Sequence, residues 1–151
     1  MIRISEKSFN PGEEVSSFEK AAEGAGAIVS FIGKVRGTSG DNDVTALQLE
    51  HYPGVTERSI RDIAMTARER WAITQSLIIH RVGTLKPSEP IVLVCVAAAH
   101  RREAFEAADY MMDYLKTKAL FWKKEMRGEQ AIWIEPRDAD YEDAARWRED
   151  K

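Results

Sequence analysis

Apolar residues recur along this chain at two periods, and each change of period marks a new element. Met1 to Phe9 alternates apolar and polar positions. Asn10-Pro11-Gly12-Glu13 then reads as a helix start: Asn is the N-cap, Pro takes the first helical position, where a missing N–H costs nothing, and Glu can reach back. Val15, Phe18 and Ala22 follow at three- and four-residue steps and make that helix's inner face. From Gly26 to Arg36 the run Ile28-Val29-Ser30-Phe31-Ile32 is rich in β-formers. A second extended run, Val44 to Tyr52, lies beyond the loop Gly37-Thr38-Ser39-Gly40-Asp41-Asn42-Asp43, so the two runs are expected to form a hairpin with a long, mobile tip.

Past Pro53-Gly54, helical spacing returns with Ile60, Ile63, Ala64, Ala67 and Trp71, between which stand Arg, Asp, Glu and Thr. Leu77-Ile78-Ile79 and Ile91 to Ala98 are two further strands joined through the turn Lys86-Pro87-Ser88-Glu89-Pro90, and the second is apolar enough to lie inside a sheet. A third helix is expected to bury Ala104, Phe105, Ala108, Met111, Met112, Leu115 and Ala119. Gln130 to Glu135 reads as a last strand, and residues 138–151 as a polar C-terminal helix or tail. Helices interspersed with short strands and tight turns favour an α+β sandwich over a doubly wound parallel sheet. At 151 residues the chain has the usual size of one domain, so 1–151 is expected to fold around one core.

Composition narrows the partners. With 44% hydrophobic and 31% charged residues the chain is globular in type. Lys and Arg number 22 against 25 Asp and Glu, a net charge of −3 that attracts neither nucleic acid nor an anionic membrane, so any anion must be caught locally. The N-terminus lacks a basic region followed by an apolar run, and no apolar stretch has membrane-spanning length, which predicts a cytoplasmic protein. Cys95 is the single cysteine and sits in Ile91-Val92-Leu93-Val94-Cys95-Val96, where it reads as a buried core thiol. His51, His80 and His100 form no pair at metal-ligand spacing, and no metal or other cofactor is expected.

Three places carry candidate chemistry. His100-Arg101-Arg102 follows a buried strand and opens a helix, where cations are disfavoured by ~0.3 to 1 kcal/mol each. An anion bound on the free N–H groups would offset that, whereas the bland alternative has both arginines in solvent or paired with Glu103 and Glu106. Lys116 borders the apolar face of its helix, four residues after Met112, either packing its stem on the core with its ammonium in water or serving a site. Lys123 lies beyond Phe121-Trp122 and, with Lys118, Lys124 and Arg127, makes a cationic segment carrying two aromatics. RNA could stack there, but in an acidic chain a compact anionic ligand fits better. Gly33-Lys34-Val35-Arg36 ends a strand at the Gly-rich loop, where backbone and cation could converge on phosphate, although the spacing is not that of a Walker loop.

Taken together these stretches resemble the large-subunit family of molybdopterin synthase from about Phe31 to Arg137. The resemblance rests on Phe31-Ile32-Gly33-Lys34-Val35-Arg36, Leu49-Glu50-His51-Tyr52-Pro53-Gly54, His80-Arg81-Val82-Gly83, His100-Arg101 with Ala104-Phe105, Asp113-Tyr114-Leu115-Lys116, Phe121-Trp122-Lys123-Lys124-Glu125 and Trp133-Ile134-Glu135-Pro136-Arg137. Leu120 stands where the family commonly has Pro before Phe-Trp-Lys, a departure that leaves both lysines in place. The resemblance implies an α/β hammerhead-type sandwich and a homodimer of large subunits within a heterotetramer. It further implies a small ubiquitin-like sulfur-carrier subunit whose C-terminal Gly-Gly thiocarboxylate gives sulfur to cyclic pyranopterin monophosphate. Carried over by position, Lys116 and Lys123 are the catalytic pair of this sulfurtransferase. Lys34, Val35, Arg36, His100, Arg101, Lys124, Glu125 and Arg137 join those two lysines in binding substrate. The rival reading from another class is a non-catalytic scaffold that holds a phosphorylated ligand and a small protein; it predicts that losing Lys116 weakens binding without a separate loss of turnover.

Overall fold

The computed structural model describes residues 1–148. Two four-stranded sheets carry the fold. The first has the order β1-β6-β8-β2, from Ile2–Ser5 (β1), Ile73–Arg81 (β6), Pro90–Ala98 (β8) and Ala27–Lys34 (β2). Only β1 and β6 run parallel; the other pairs are antiparallel. The second sheet is antiparallel throughout, in the order β10-β9-β5-β7, from Gln130–Ile134 (β10), Phe121–Arg127 (β9), Ala46–His51 (β5) and Gly83–Leu85 (β7). Thr38–Ser39 (β3) and Asn42–Asp43 (β4) pair in a small ribbon of their own.

Helices cover both faces of the first sheet, which is why β8 reads as an unbroken apolar run. Val92, Val94, Val96 and Ala98 face Val55–Arg70 (α2) and Arg101–Thr117 (α3), packing with Ile60, Ile63, Ala67, Ala104, Met111 and Leu115. Leu93, Cys95 and Ala97, one residue out of phase, face Phe18 and Ala22 at Pro11–Ala21 (α1). The Asn10 side chain caps α1 as expected, its Oδ1 accepting from the N–H groups of Gly12 and Glu13 at 3.0 and 3.3 Å. Cys95 is fully buried, and burial together with the Glu14 charge pushes its thiol up to about 11. A smaller core of Val35, Leu47, Leu49, Val82 and Leu85 lies under the second sheet.

Two expectations are corrected. The runs 26–36 and 44–52 do not form a hairpin: β2 pairs with β8, and β5 with β7 and β9, so the loop between them crosses from one sheet to the other and its tip folds into the β3–β4 ribbon. The hydrophobic alternation in each run was satisfied by a distant partner, which local pattern cannot reveal. The cationic segment 121–127, for which the sequence suggested no element, is a strand, β9, paired between β5 and β10. Phe105, assigned to the inner face of α3, is 61% exposed, and Ala107, Tyr110 and Tyr114 are buried instead. The polar C-terminus forms a helix at Asp138–Ala145 (α4) and a 3-10 turn at Arg146–Arg148; the rest of that expected segment lies outside the described residues.

Candidate active site

Helix α3 leaves the end of β8 after two residues and packs back over the first sheet, so its two ends serve opposite edges of the molecule. Lys116 closes its last turn, and the chain then enters β9, where Lys123 sits opposite Leu49 on one side and Ile134 on the other. The two lysines therefore reach one place from a helix end and a strand. Burial first, and the Lys116 charge second, hold the Lys123 amine below its ordinary range, while Asp140 works the other way.

Asp140, in the first turn of α4, completes this cluster. Its Oδ1 lies 3.5 Å from Lys116 Nζ and accepts from Arg137 Nη2 at 3.1 Å, and its Oδ2 accepts from the Arg137 backbone N–H at 2.9 Å. The carboxylate is 9% exposed against 44% for the Lys116 side chain. Burial alone would raise the Asp140 carboxyl, but the Arg137 hydrogen bonds and the Lys116 charge outweigh it and hold it down at about 2. Sequence reasoning overlooked Asp140. The sign was there, since an acid three residues after Arg137 can reach back to that residue's N–H and start a helix.

His80 was also overlooked as a part of this corner. It lies on β6 beside Val92 of β8, which in turn faces Gly33 of β2, so His80 and Lys34 belong to the same end of the first sheet. The imidazole is buried, its Nδ1 is 2.8 Å from the Arg81 carbonyl, and burial drives it down to about 3, so the ring is neutral with Nδ1–H donating.

The remaining expected residues divide into three groups. Lys34 and Arg36 are exposed, whereas Val35 between them is 5% exposed and packs into the smaller core. Val35 is anchored on both sides, its N–H donating to Glu89 O at 2.9 Å and its carbonyl accepting from Ser88 N at 2.8 Å. That turn is tied in turn to the buried Arg81, whose Nη1 lies 3.4 Å from Glu89 Oε2. Lys124 points to the face of β9 opposite Lys123, its ammonium 4.3 Å from the centre of the Trp133 ring, and Glu125 accepts from Arg127 at 2.9 Å. His100 and Arg101 are exposed and line a shallow recess with Arg102, Glu103, Phe105 and Glu106. There Arg102 pairs with Glu106 at 3.8 Å, as the bland reading has it, while one Glu103 carboxylate oxygen is buried without a hydrogen-bond partner among the described residues.

The recess and the lysine cluster do not meet within one chain. Arg101 and Lys116 stand at opposite ends of α3, about 22 Å apart at 1.5 Å of rise per residue. Among the described residues, no group of His, Cys, Asp or Glu is placed to hold a metal ion, and no helix is long and apolar enough to cross a membrane.

Comparison with known proteins bears on this geometry. The family model of the MoaE protein matches residues 4–118. The chain belongs to the MoaE family. It is 49% identical over 146 residues to the molybdopterin synthase catalytic subunit of Cereibacter sphaeroides, covering 97% of this chain and 99% of that one. The subunit of the same description from Pseudomonas aeruginosa is 45% identical over 148 residues, covering 98% and 99%. Among solved structures, the molybdopterin biosynthesis MoaE protein of Burkholderia ambifaria superposes with a TM-score of 0.83 at 40% identity, over 98% of this chain and 97% of that one. A complex of subunits 1 and 2 of the molybdopterin-converting factor from Helicobacter pylori shares the fold, with a TM-score of 0.76 at 19% identity over 90% of this chain and 91% of that one. The α+β hammerhead-type architecture expected from the sequence is thus that of the family.

Proposed function

We propose that this chain is the catalytic subunit of a molybdopterin synthase, a cytoplasmic sulfurtransferase whose single domain works beside a small sulfur-carrier subunit. The carrier's C-terminal Gly-Gly tail, as a thiocarboxylate, gives sulfur to cyclic pyranopterin monophosphate, and two rounds yield the dithiolene of molybdopterin. The observation that carries this reading is the convergence of Lys116 and Lys123, from α3 and β9, on one partly buried corner. Attack by the thiocarboxylate develops negative charge on acyl and substrate oxygens, and ammonium groups fixed in place around a partly buried corner stabilise it more than freely reorienting water does. Lys34 and Arg36, at the nearby end of β2, supply cations for the substrate's phosphate.

His100 and Arg101 join the site from a second copy of the chain. The length of α3 supports this, since it separates them from the lysines of their own protomer, and so does the unfinished hydrogen bonding of Glu103 in their recess. A two-fold homodimer would bring the start of one α3 to the end of the other, and two carriers would make a heterotetramer.

The partner tail provides the test. An extended chain gains about 3.3 Å per residue, and Gly-Gly enters a narrow slot without side-chain clash. In an aged complex a lysine amine that meets the tail should displace sulfide from the thiocarboxylate and leave an amide. Mass spectrometry should find that amide at Lys116 or Lys123, and one bulky residue added to the tail should stop both crosslink and product. A crosslink elsewhere, or a tolerated extension, would overturn the placement of the site.

A further inference from the structure

Lys116 and Lys123 carry the same charged group but meet different surroundings, and the difference is Asp140. Lys116 has a counter-charge 3.5 Å away, on a carboxylate that Arg137 fixes with both its backbone N–H and its guanidinium. Lys123 has no ion-pair partner among the described residues and is closed in by Leu49, Ile134 and the Phe121–His80 stack. We propose that Asp140 is a positioning residue that fixes Lys116 as the standing cation of the site and leaves Lys123 as the group that exchanges a proton with the substrate. This rests on the sulfur-transfer reading given above.

The division follows from where charge is stable. An ammonium beside a buried, oriented carboxylate is held in place, so Lys116 can meet a developing oxyanion without reorganising. Lys123 lies in drier surroundings with another cation close by, and its charged form is the less stable for both reasons. One proton then moves between Lys123 Nζ and the substrate atom that gains or loses charge, while Lys116 keeps its own. The groups that face this corner are few. Lys116 comes from α3, and Asp140 and Arg137 from α4 and its cap. His80 comes from β6 and is neutral down to about pH 3. His51 from β5 is taken up by Glu57 at 3.7 Å, and Glu125, two residues along β9, by Arg127.

The sign of the test does not depend on the direction of proton transfer. Removing the Asp140 charge makes a protonated Lys123 less stable, so its titration moves toward lower pH whether it acts as acid or base. The experiment compares wild type, Asp140→Asn and Asp140→Glu in complex with the carrier. Competitive acetylation across pH, read at Lys123 by mass spectrometry, follows the amine without any turnover, and the pH–rate profile of sulfur transfer follows the reaction. In Asp140→Asn both the acetylation midpoint and the matching limb of the rate profile should move down by about half a pH unit or more. Asp140→Glu should bring both back. A merely structural residue would lower the rate and leave both midpoints in place, and that result overturns the proposal. A midpoint that moves under acetylation while the rate limb stays would overturn it too, because Lys123 would not be the proton carrier. A wild-type chain that forms no product would instead defeat the sulfur-transfer reading, with the Asp140–Lys123 link still read by acetylation alone.

Discussion

His80 stacks on Phe121 with ring centroids 3.9 Å apart and planes inclined by 17°. The first ring belongs to β6 of one sheet and the second to β9 of the other, two residues before Lys123, so the stack fastens the sheets together beside the lysine pair. The imidazole is neutral in this contact, because burial holds His80 at about 3 against an ordinary 6.5.

That depression sets a pH dependence of stability. Between pH 6.5 and about 3 the unfolded chain binds a proton on His80 that the folded chain refuses, so the stabilisation is complete above pH 6.5 and drains away as pH falls. The slope from this one group is at most about 1.4 kcal/mol per pH unit. Asp140 adds its own loss only lower, as pH falls from 3.8 through about 2. Urea titrations from pH 7 to 4 should show His80→Leu less stable at pH 7 but with a flatter slope; parallel slopes would mean that His80 is not the group responsible.

Ser88 has φ 72°, a left-handed conformation, in a turn closed by Glu89 N–H to Lys86 O at 3.1 Å with Pro87 before it. This is the turn position at which glycine is unstrained, and a side chain there costs about 1 to 2 kcal/mol. Ser88→Gly should stabilise the chain by about 0.5 to 1 kcal/mol once the greater freedom of unfolded glycine is deducted. A melting temperature raised by roughly 1 to 4 °C would agree, and a lowered one would show that the serine side chain has a role of its own.

Much of this was legible in advance. The capped start of α1, the doubly buried β8 and the core thiol Cys95 followed from residue type and period, because each is decided within a few positions. Strand pairing was not, since β2 and β5 found their partners far along the chain. The lysine corner was half legible. Position on a helix face marked Lys116, but Asp140 and His80 join it through tertiary contacts between α3 and α4 and between the two sheets, and the separation of Arg101 from Lys116 needed α3 as one unbroken helix.

A site built from two protomers, as proposed, predicts complementation. Lys116→Ala and Arg101→Ala should each be inactive alone, but after subunit exchange half the dimers are mixed, and each of these keeps one site with both residues intact. Activity should return to about a quarter of wild type. A mixture as inactive as its parents would put both residues in one protomer's site.

Arg36→Ala should weaken binding of the phosphorylated precursor by roughly tenfold or more, the worth of one charge-assisted contact, with a smaller effect on a dephosphorylated analogue. Calorimetry with both ligands reads the difference, and equal losses would remove the phosphate from the end of β2.

The most direct measurement of the account is a reconstitution of this chain with a thiocarboxylated carrier and cyclic pyranopterin monophosphate, assayed for dithiolene product. Wild type should form it, and Lys116→Ala should fall by about a hundredfold, the ~3 kcal/mol that one stabilising group supplies to a barrier, while still folding and still binding the carrier. Turnover like that of wild type in Lys116→Ala, or weakened carrier binding with turnover at saturation unchanged, would contradict the catalytic role and leave the chain a scaffold.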